Sequence, residues 1–422
     1  MKIGLAKRMI TPAPPVLLAG YEGVREASGV LDDLYVRVCI FEKYNMYYGV
    51  IQYDLLAVDS LIINAVKKKM MDLGLYLDHF VIAASHTHSG PGGIVDTENL
   101  LKGMENVFHK ADKERIEFIA EKTNAALVDS LADLSEGKLS IAEGEIEGIG
   151  SNRNDRDLKG SDSIFVFYIH KKNGEKAVIV NFACHPTILD AANHKISADF
   201  PGAIERYLQK EGYRLSIFLN GSSGDISTRF TRIDSTYQEV ERMGGLIGKK
   251  VEDLSGDACE MDIKKMFGRK FSFPLKIKKP EDLSEAKSYM DYLEDQVVSA
   301  REKEIGGGDL RKIESRYEGA RAAYFYAIHP IPFDTIDVSI TVFKINDLFF
   351  IMLPGELFSE LSNKLEDENI RFISYANGYS GYLADKGAYK KLYYEALISP
   401  FAQGEGERMI EKLEDIIENW RG

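Results

Sequence analysis

The chain has 422 residues, 45% of them hydrophobic and 28% charged, with a net charge of −13. That balance is globular rather than disordered, and the negative charge speaks against a nucleic-acid partner, whose phosphates it would repel. The start, Met1-Lys2-Ile3-Gly4, lacks a signal-peptide apolar core, no apolar run is long enough to span a bilayer, and Cys39, Cys184 and Cys259 suggest no disulfide framework, so the expectation is a cytoplasmic protein with reduced thiols.

Short apolar runs alternate with helix-like segments along the chain. Residues 48–53 predict a strand, 60–73 a helix, 80–84 a strand and 111–134 a long helix. Strands at 138–144, 164–168 and 177–182 follow, then a helix at 202–210, a strand at 215–219 and a helix at 237–253. Residues 280–305 and 309–326 read as two helices around Gly306-Gly307-Gly308, with Pro280 starting the first and Asp309 capping the second. Strands at 335–345, 348–353 and 372–375 precede a last helix at 405–420; one reading has Glu356 opening a helix over 356–365. The expected fold is α/β, with mixed β-sheets flanked by helices in a single domain over 1–422 and an inserted helical hairpin at 280–326.

Polar chemistry gathers where strands end. After 80–84 come Ser85, His86, Thr87 and His88, then Gly90-Pro91-Gly92-Gly93. In extended backbone, alternate residues point the same way, so His86 and His88 are expected to share one site. Strand 177–182 runs into Cys184, His185 and Pro186; strand 215–219 into Gly221-Ser222-Ser223-Gly224-Asp225-Ile226-Ser227; strand 348–353 into Pro354-Gly355-Glu356. Ligands collect outside the carboxyl ends of strands in α/β sheets. Two histidines and a carboxylate there suit zinc with an open position, while Cys184 reads as a small buried hydrophobe. His79, His109, His170, His194 and His329 have no comparable context.

At these residues the sequence resembles the neutral, non-lysosomal ceramidase family in its zinc-dependent N-terminal catalytic domain. The matching stretches are ASHTHSGPGG at 84–93, SNRN at 151–154, NFACHPT at 181–187, ADFPG at 198–202, NGSSGDIS at 220–227, LPGE at 353–356, NGYSGY at 377–382 and YE at 394–395. The resemblance implies that His86, His185, Glu356 and Tyr382 bind Zn2+, and that His88, Arg153, Ser227 and Tyr394 line the catalytic site. Several features depart from the family: Thr228-Arg229 stand where its serine signature has Pro-Asn, the 280–326 hairpin is not one of its features, and the expectation is a chain without a secretion signal or, after the 405–420 helix, the family's immunoglobulin-like domain.

The expected activity is zinc-dependent hydrolysis of a linear amide, with zinc-bound water rather than Ser227 as nucleophile, because no base for the serine is evident. Asp54 and Asp225 are candidates to orient ligating histidines. Without a secretion signal or the additional domain, the expected partner is a small soluble amide substrate rather than membrane ceramide. Ceramidase activity proper, a metal-dependent esterase or phosphoesterase, and a noncatalytic zinc- or ligand-binding protein stand as alternatives. The sequence leaves self-association into a homo-oligomer open.

Overall fold

In the computed structural model, which describes residues 1–365 and 367–421, the principal sheet orders its strands His79–Ala84, Met46–Tyr53, Tyr35–Lys43, Lys2–Met9, Ser135–Glu145, Ser163–Lys171, Lys176–Phe182 and Tyr213–Asn220. Cys259–Glu260 adds beside Ser135–Glu145. Neighbours are antiparallel except at the two margins, where His79–Ala84 runs parallel to Met46–Tyr53 and Tyr213–Asn220 parallel to Lys176–Phe182. A parallel pair needs a crossover. The Ser60–Asp72 and Asp199–Lys210 helices supply it.

A second sheet runs Met266–Lys276, Thr335–Ile345, Leu348–Met352 and Ile370–Ile373, antiparallel twice and then parallel. Period-two alternation packs the layers. Val178, Val180 and Phe182 enter a core with Ile204 and Ile247 of the flanking helices. Ala177 and Ile179 instead join Phe350, Met352 and Ile373 of the second sheet. Phe349 and Ile351 lie on the opposite face, in the core that holds Met409 and Leu413 of the Glu405–Arg421 helix. The layers therefore run helix, sheet, sheet, helix, and the expected class of mixed sheets flanked by helices holds.

Local differences from the sequence reading have physical causes. Asp282, not Pro280, caps the Leu283–Glu302 helix by accepting the Ser284 and Glu285 N–H groups. The next helix, Gly307–Ile328, takes in two of the three glycines, leaving Gly306 as cap and Asp309 inside the first turn. These two helices pack against each other. No helix covers 356–365: Glu356–Leu357 is a short strand parallel to Tyr382–Leu383, and the helix starts at Ser359. The Asp225 carboxylate accepts the Ser359 N–H at 2.7 Å and its hydroxyl at 2.8 Å, which places the helical turn after Glu356. All three cysteines are free. Among the described residues, no helix is long and apolar enough to cross a membrane.

The two sheets are sewn together at the carboxyl ends of their strands. Ala84 donates to the Tyr375 carbonyl at 3.1 Å, Asn377 to the Ile82 carbonyl at 2.7 Å, and Ser374 to the Asn220 carbonyl at 2.9 Å. This seam gathers the polar loops of both sheets.

Candidate metal centre and catalytic cavity

The strand ends at Ala84, and His86 takes a left-handed φ of 74°. Extended alternation therefore does not aim the His86-Thr87-His88 segment, as the sequence reading had it. A left-handed histidine is uncommon and persists only where its surroundings hold it. The His86 N–H donates to the Leu55 carbonyl at 2.9 Å, and its Nδ1 lies 2.6 Å from the Leu56 carbonyl. His88 Nε2 then comes to 3.2 Å from His86 Nε2. Gly20 (φ 101°) packs so closely on the His88 ring that an added Cβ would stand 2.6 Å from it.

His185 follows Lys176–Phe182, and its Nδ1 faces the Ser223 and Ile226 carbonyls at 2.6 and 3.1 Å. Its Nε2 lies 3.0 Å from Glu356 Oε2, which is 3.4 Å from His86 Nε2. All four side chains are buried. Tyr379 donates its hydroxyl to Glu356 Oε1, and Tyr375 donates to Oε2 at 3.4 Å while stacking on the His86 ring at 4.0 Å. Burial, reinforced by Arg153, pushes the His185 imidazole down to about 3; burial and the neighbouring histidines push His88 well below its ordinary range.

These contacts fit a divalent cation. The Nδ1 atoms of His86 and His185 can only donate to their carbonyl partners, which leaves each Nε2 with a lone pair. In the neutral rings those lone pairs converge on an acceptor carboxylate, a donor set that a shared divalent cation would satisfy. Ligands bound at 2.0–2.1 Å in a tetrahedron stand about 3.3 Å apart, and Glu356 Oε2 stands 3.0 Å from His185 Nε2 and 3.4 Å from His86 Nε2. The ligand atoms of His86, His88 and His185 all lie within 4.8 Å of one another. His88 differs in one respect: its Nδ1 is buried without a partner. Ligating histidines almost always anchor that second nitrogen. His86 and His185 therefore carry the orientation of ligands, and His88 does not.

The remaining expected residues surround this cluster. Arg153 Nε donates to Glu395 at 2.6 Å, and its Nη2 donates to the Gly224 carbonyl at 2.8 Å and the Tyr382 hydroxyl at 2.9 Å. Asn154 holds the other Glu395 oxygen at 2.9 Å. Tyr382 is in register with Glu356 across the short parallel ladder, and its ring lies 6.1 Å from that of Tyr394. Burial raises the hydroxyl pKa of both tyrosines, so each is a neutral donor. Ser227 is nearby, but its hydroxyl accepts the Arg229 N–H at 3.2 Å, and none of the three histidines hydrogen-bonds to it. Asp54 pairs with Arg37 at 2.7 Å, and Asp225 binds Asn152 and Ser359. Carbonyl oxygens, not these two carboxylates, orient the histidines. Tyr375, Tyr379 and Glu395 had no assigned role from the sequence, although NGYSGY contains Tyr379 and YE contains Glu395.

His86, His88 and Glu356 line a cavity of about 760 Å³, within the usual size of a small-molecule site. Leu56, Leu101, Met104, Phe108 and Ile398 give it an apolar wall, and Val297 and Val298 extend that wall onto the Leu283–Glu302 helix. Arg229, Arg232 and Arg311 line another part.

The sequence model described as neutral/alkaline non-lysosomal ceramidase, N-terminal, matches residues 1–231. The chain belongs to this family. Neutral ceramidase of Pseudomonas aeruginosa is 25% identical over 301 residues, covering 61% of this chain and 42% of that protein. The chain thus matches less than half the length of this curated relative. The crystal structure of neutral ceramidase from Pseudomonas aeruginosa superposes over 99% of this chain and 74% of its own, with a TM-score of 0.75 and 18% identity. A ceramidase complexed with C2 gives the same TM-score at 17% identity, over 100% of this chain and 75% of that one. The family's fold therefore extends over the whole described chain, beyond the region that its sequence model matches.

Proposed function

We propose that the protein is a zinc-dependent hydrolase that cleaves the amide of an N-acyl sphingoid lipid, a ceramide-type substrate. The observation that carries this reading is the convergence of His86 Nε2 and His185 Nε2 on the Glu356 carboxylate, with His86 and Glu356 lining the cavity. Family membership favours a ceramide-type amide over the small soluble amide expected from the sequence. The apolar wall from Leu56 to Val298 suits an alkyl chain.

Zinc held by His86, His185 and Glu356, with Tyr382 beside them, would act as a Lewis acid and lower the pKa of bound water toward about 7. The protein's own groups do the rest. Carbonyl contacts at Nδ1 hold the His86 and His185 rings in place with Nε2 turned toward Glu356. Glu395 and the Gly224 carbonyl fix Arg153, so its charge is already in place for the oxyanion of a tetrahedral intermediate. The Tyr394 hydroxyl faces the same cavity as a neutral donor. His88, neutral and lining the cavity beside His86, would take up the proton released by the attacking water and hand it to the leaving amine. Ser227 shapes its loop and is not the nucleophile.

The test is amine release from N-acyl compounds, with acyl chains from acetyl to palmitoyl and including short-chain ceramide, run on zinc-loaded and chelator-stripped protein. Zinc-dependent turnover that favours sphingoid amides is the expected result. Turnover confined to small polar amides would overturn the substrate reading and leave the chemistry standing.

A further inference from the structure

The charged groups lining the cavity do not all find partners. Arg301 pairs with Glu314 at 2.9 Å, Arg311 with Glu318 at 2.6 Å and Arg321 with Glu22 at 3.0 Å. Among the described residues, Arg229 and Arg232 have no carboxylate within ion-pair distance, although both are half-buried. Their partners are neutral oxygens. Arg229 donates to the Arg153 carbonyl at 3.0 Å and the Ser315 hydroxyl at 3.3 Å, and Arg232 donates to the Thr187 carbonyl. Asp190 also faces the cavity, beyond ion-pair distance of either arginine.

Arg229, Arg232 and Arg311 all line this one cavity. Burial and the charges of Arg153, Arg311 and Arg232 push the Arg229 guanidinium down to about 9. Tyr21, whose ring lies 4.9 Å from that of His88, has the Arg311 guanidinium 6.0 Å from its centroid. The cationic region is thus tied to the reaction centre on two sides: through Tyr21 to His88, and through the Arg229–Arg153 contact to Tyr382. A half-buried, unpaired positive charge is costly, and a guanidinium matches carboxylate and phosphate oxygens in a planar two-bond geometry.

We propose that Arg229 and Arg232, which line the cavity together with the Glu318-paired Arg311 of the Gly307–Ile328 helix, form a recognition subsite for a carboxylate or phosphate carried by the substrate close to its scissile amide. The inference rests on the amide-hydrolase reading and narrows it. The preferred substrate is an anionic N-acyl amide, and a neutral amide of the same chain length leaves the two arginines unpaired.

The experiment uses matched pairs that differ only in charge. One pair is a short-chain N-acyl sphingoid base and its 1-phosphate; the other is N-dodecanoylglycine and N-dodecanoylglycinamide. For the zinc-loaded protein, kcat/KM for at least one anionic member should exceed that of its neutral partner by about tenfold or more. The pair that responds tells a phosphate headgroup from a carboxylate. Arg232→Gln should collapse the ratio toward one, and Arg229→Lys should keep part of it. Dissociation constants for the same four compounds make the result independent of turnover. Tighter anion binding that Arg232→Gln abolishes, with no hydrolysis of any compound, would support the subsite and sink the hydrolase reading. Equal kcat/KM and equal affinity across both pairs would overturn the subsite while leaving hydrolysis intact. If Arg232→Gln fails to fold, the wild-type ratios decide alone.

Discussion

His86 Nε2 and His88 Nε2 stand 3.2 Å apart, yet only His86 has its other ring nitrogen anchored, at 2.6 Å from the Leu56 carbonyl. On the proposed assignment, this difference separates a ligand from a neighbour. Elemental analysis after gel filtration should find stoichiometric metal lost in His86→Ala and in His185→Ala, and retained in His88→Ala with turnover gone. Full metal in both of the first two variants would remove the assignment.

Ser227 offers a second discrimination. Loss of a true serine nucleophile costs on the order of 10⁶ in kcat. Because its hydroxyl accepts a backbone N–H and no histidine activates it, Ser227→Ala should retain turnover within about tenfold of wild type. A trapped acyl group on Ser227, seen by mass spectrometry of the quenched enzyme, would establish the serine route instead.

Away from the cavity, Arg37 lies between two carboxylates, 2.7 Å from Asp54 and 2.7 Å from Glu205, all nearly inaccessible to solvent. Arg37→Met strands the buried Asp54 carboxylate and leaves Glu205 with Lys7, at 3.3 Å, as its ion-pair partner. Removing one partner of such a network costs about 3–5 kcal/mol, which urea denaturation should report as a lower midpoint. An unchanged midpoint would mean that the network is not closed in solution.

Asp199 governs a pH dependence. Burial raises its carboxyl from 3.8 to about 6, against the Leu189 and Phe200 N–H groups that favour ionisation. Between these two values the folded state holds a proton that the unfolded state has released. Its stabilisation is therefore complete below about pH 4 and is lost as pH rises through 6. Thermal melts of Asp199→Asn should show a smaller decline than wild type across that interval. Parallel curves for the two proteins would refute the raised pKa.

Much of the fold was legible because its strands are short apolar runs, and the Phe80 and Ala177 runs reappear almost unchanged as His79–Ala84 and Lys176–Phe182. The Met266–Lys276 strand escaped because Gly268, Arg269, Lys270 and Pro274 interrupt its pattern. An edge strand tolerates them. His86, His88, His185 and Glu356 stood out as scarce chemistry at strand ends. Tyrosine is common in this chain, with 22 residues, so nothing local marked Tyr375 and Tyr379 as partners of Glu356. The left-handed turn at His86 was equally hidden, because contacts with Leu55 and Leu56, some thirty residues earlier, hold it in place.

The hydrogen bonds from Ala84, Asn377 and Ser374 across the two sheets have a consequence for how the centre can come apart. The histidines follow strands of the principal sheet, whereas Glu356 and Tyr382 sit on the short parallel ladder that follows strands of the second. Neither sheet alone holds a complete set of donors. Parting the sheets would dismantle the centre in one motion, and anything that bridges His185 and Glu356 would rivet them together. Binding at the centre is therefore thermodynamically linked to sheet docking, and the protein's resistance to opening rises with the logarithm of the free concentration of whatever occupies it.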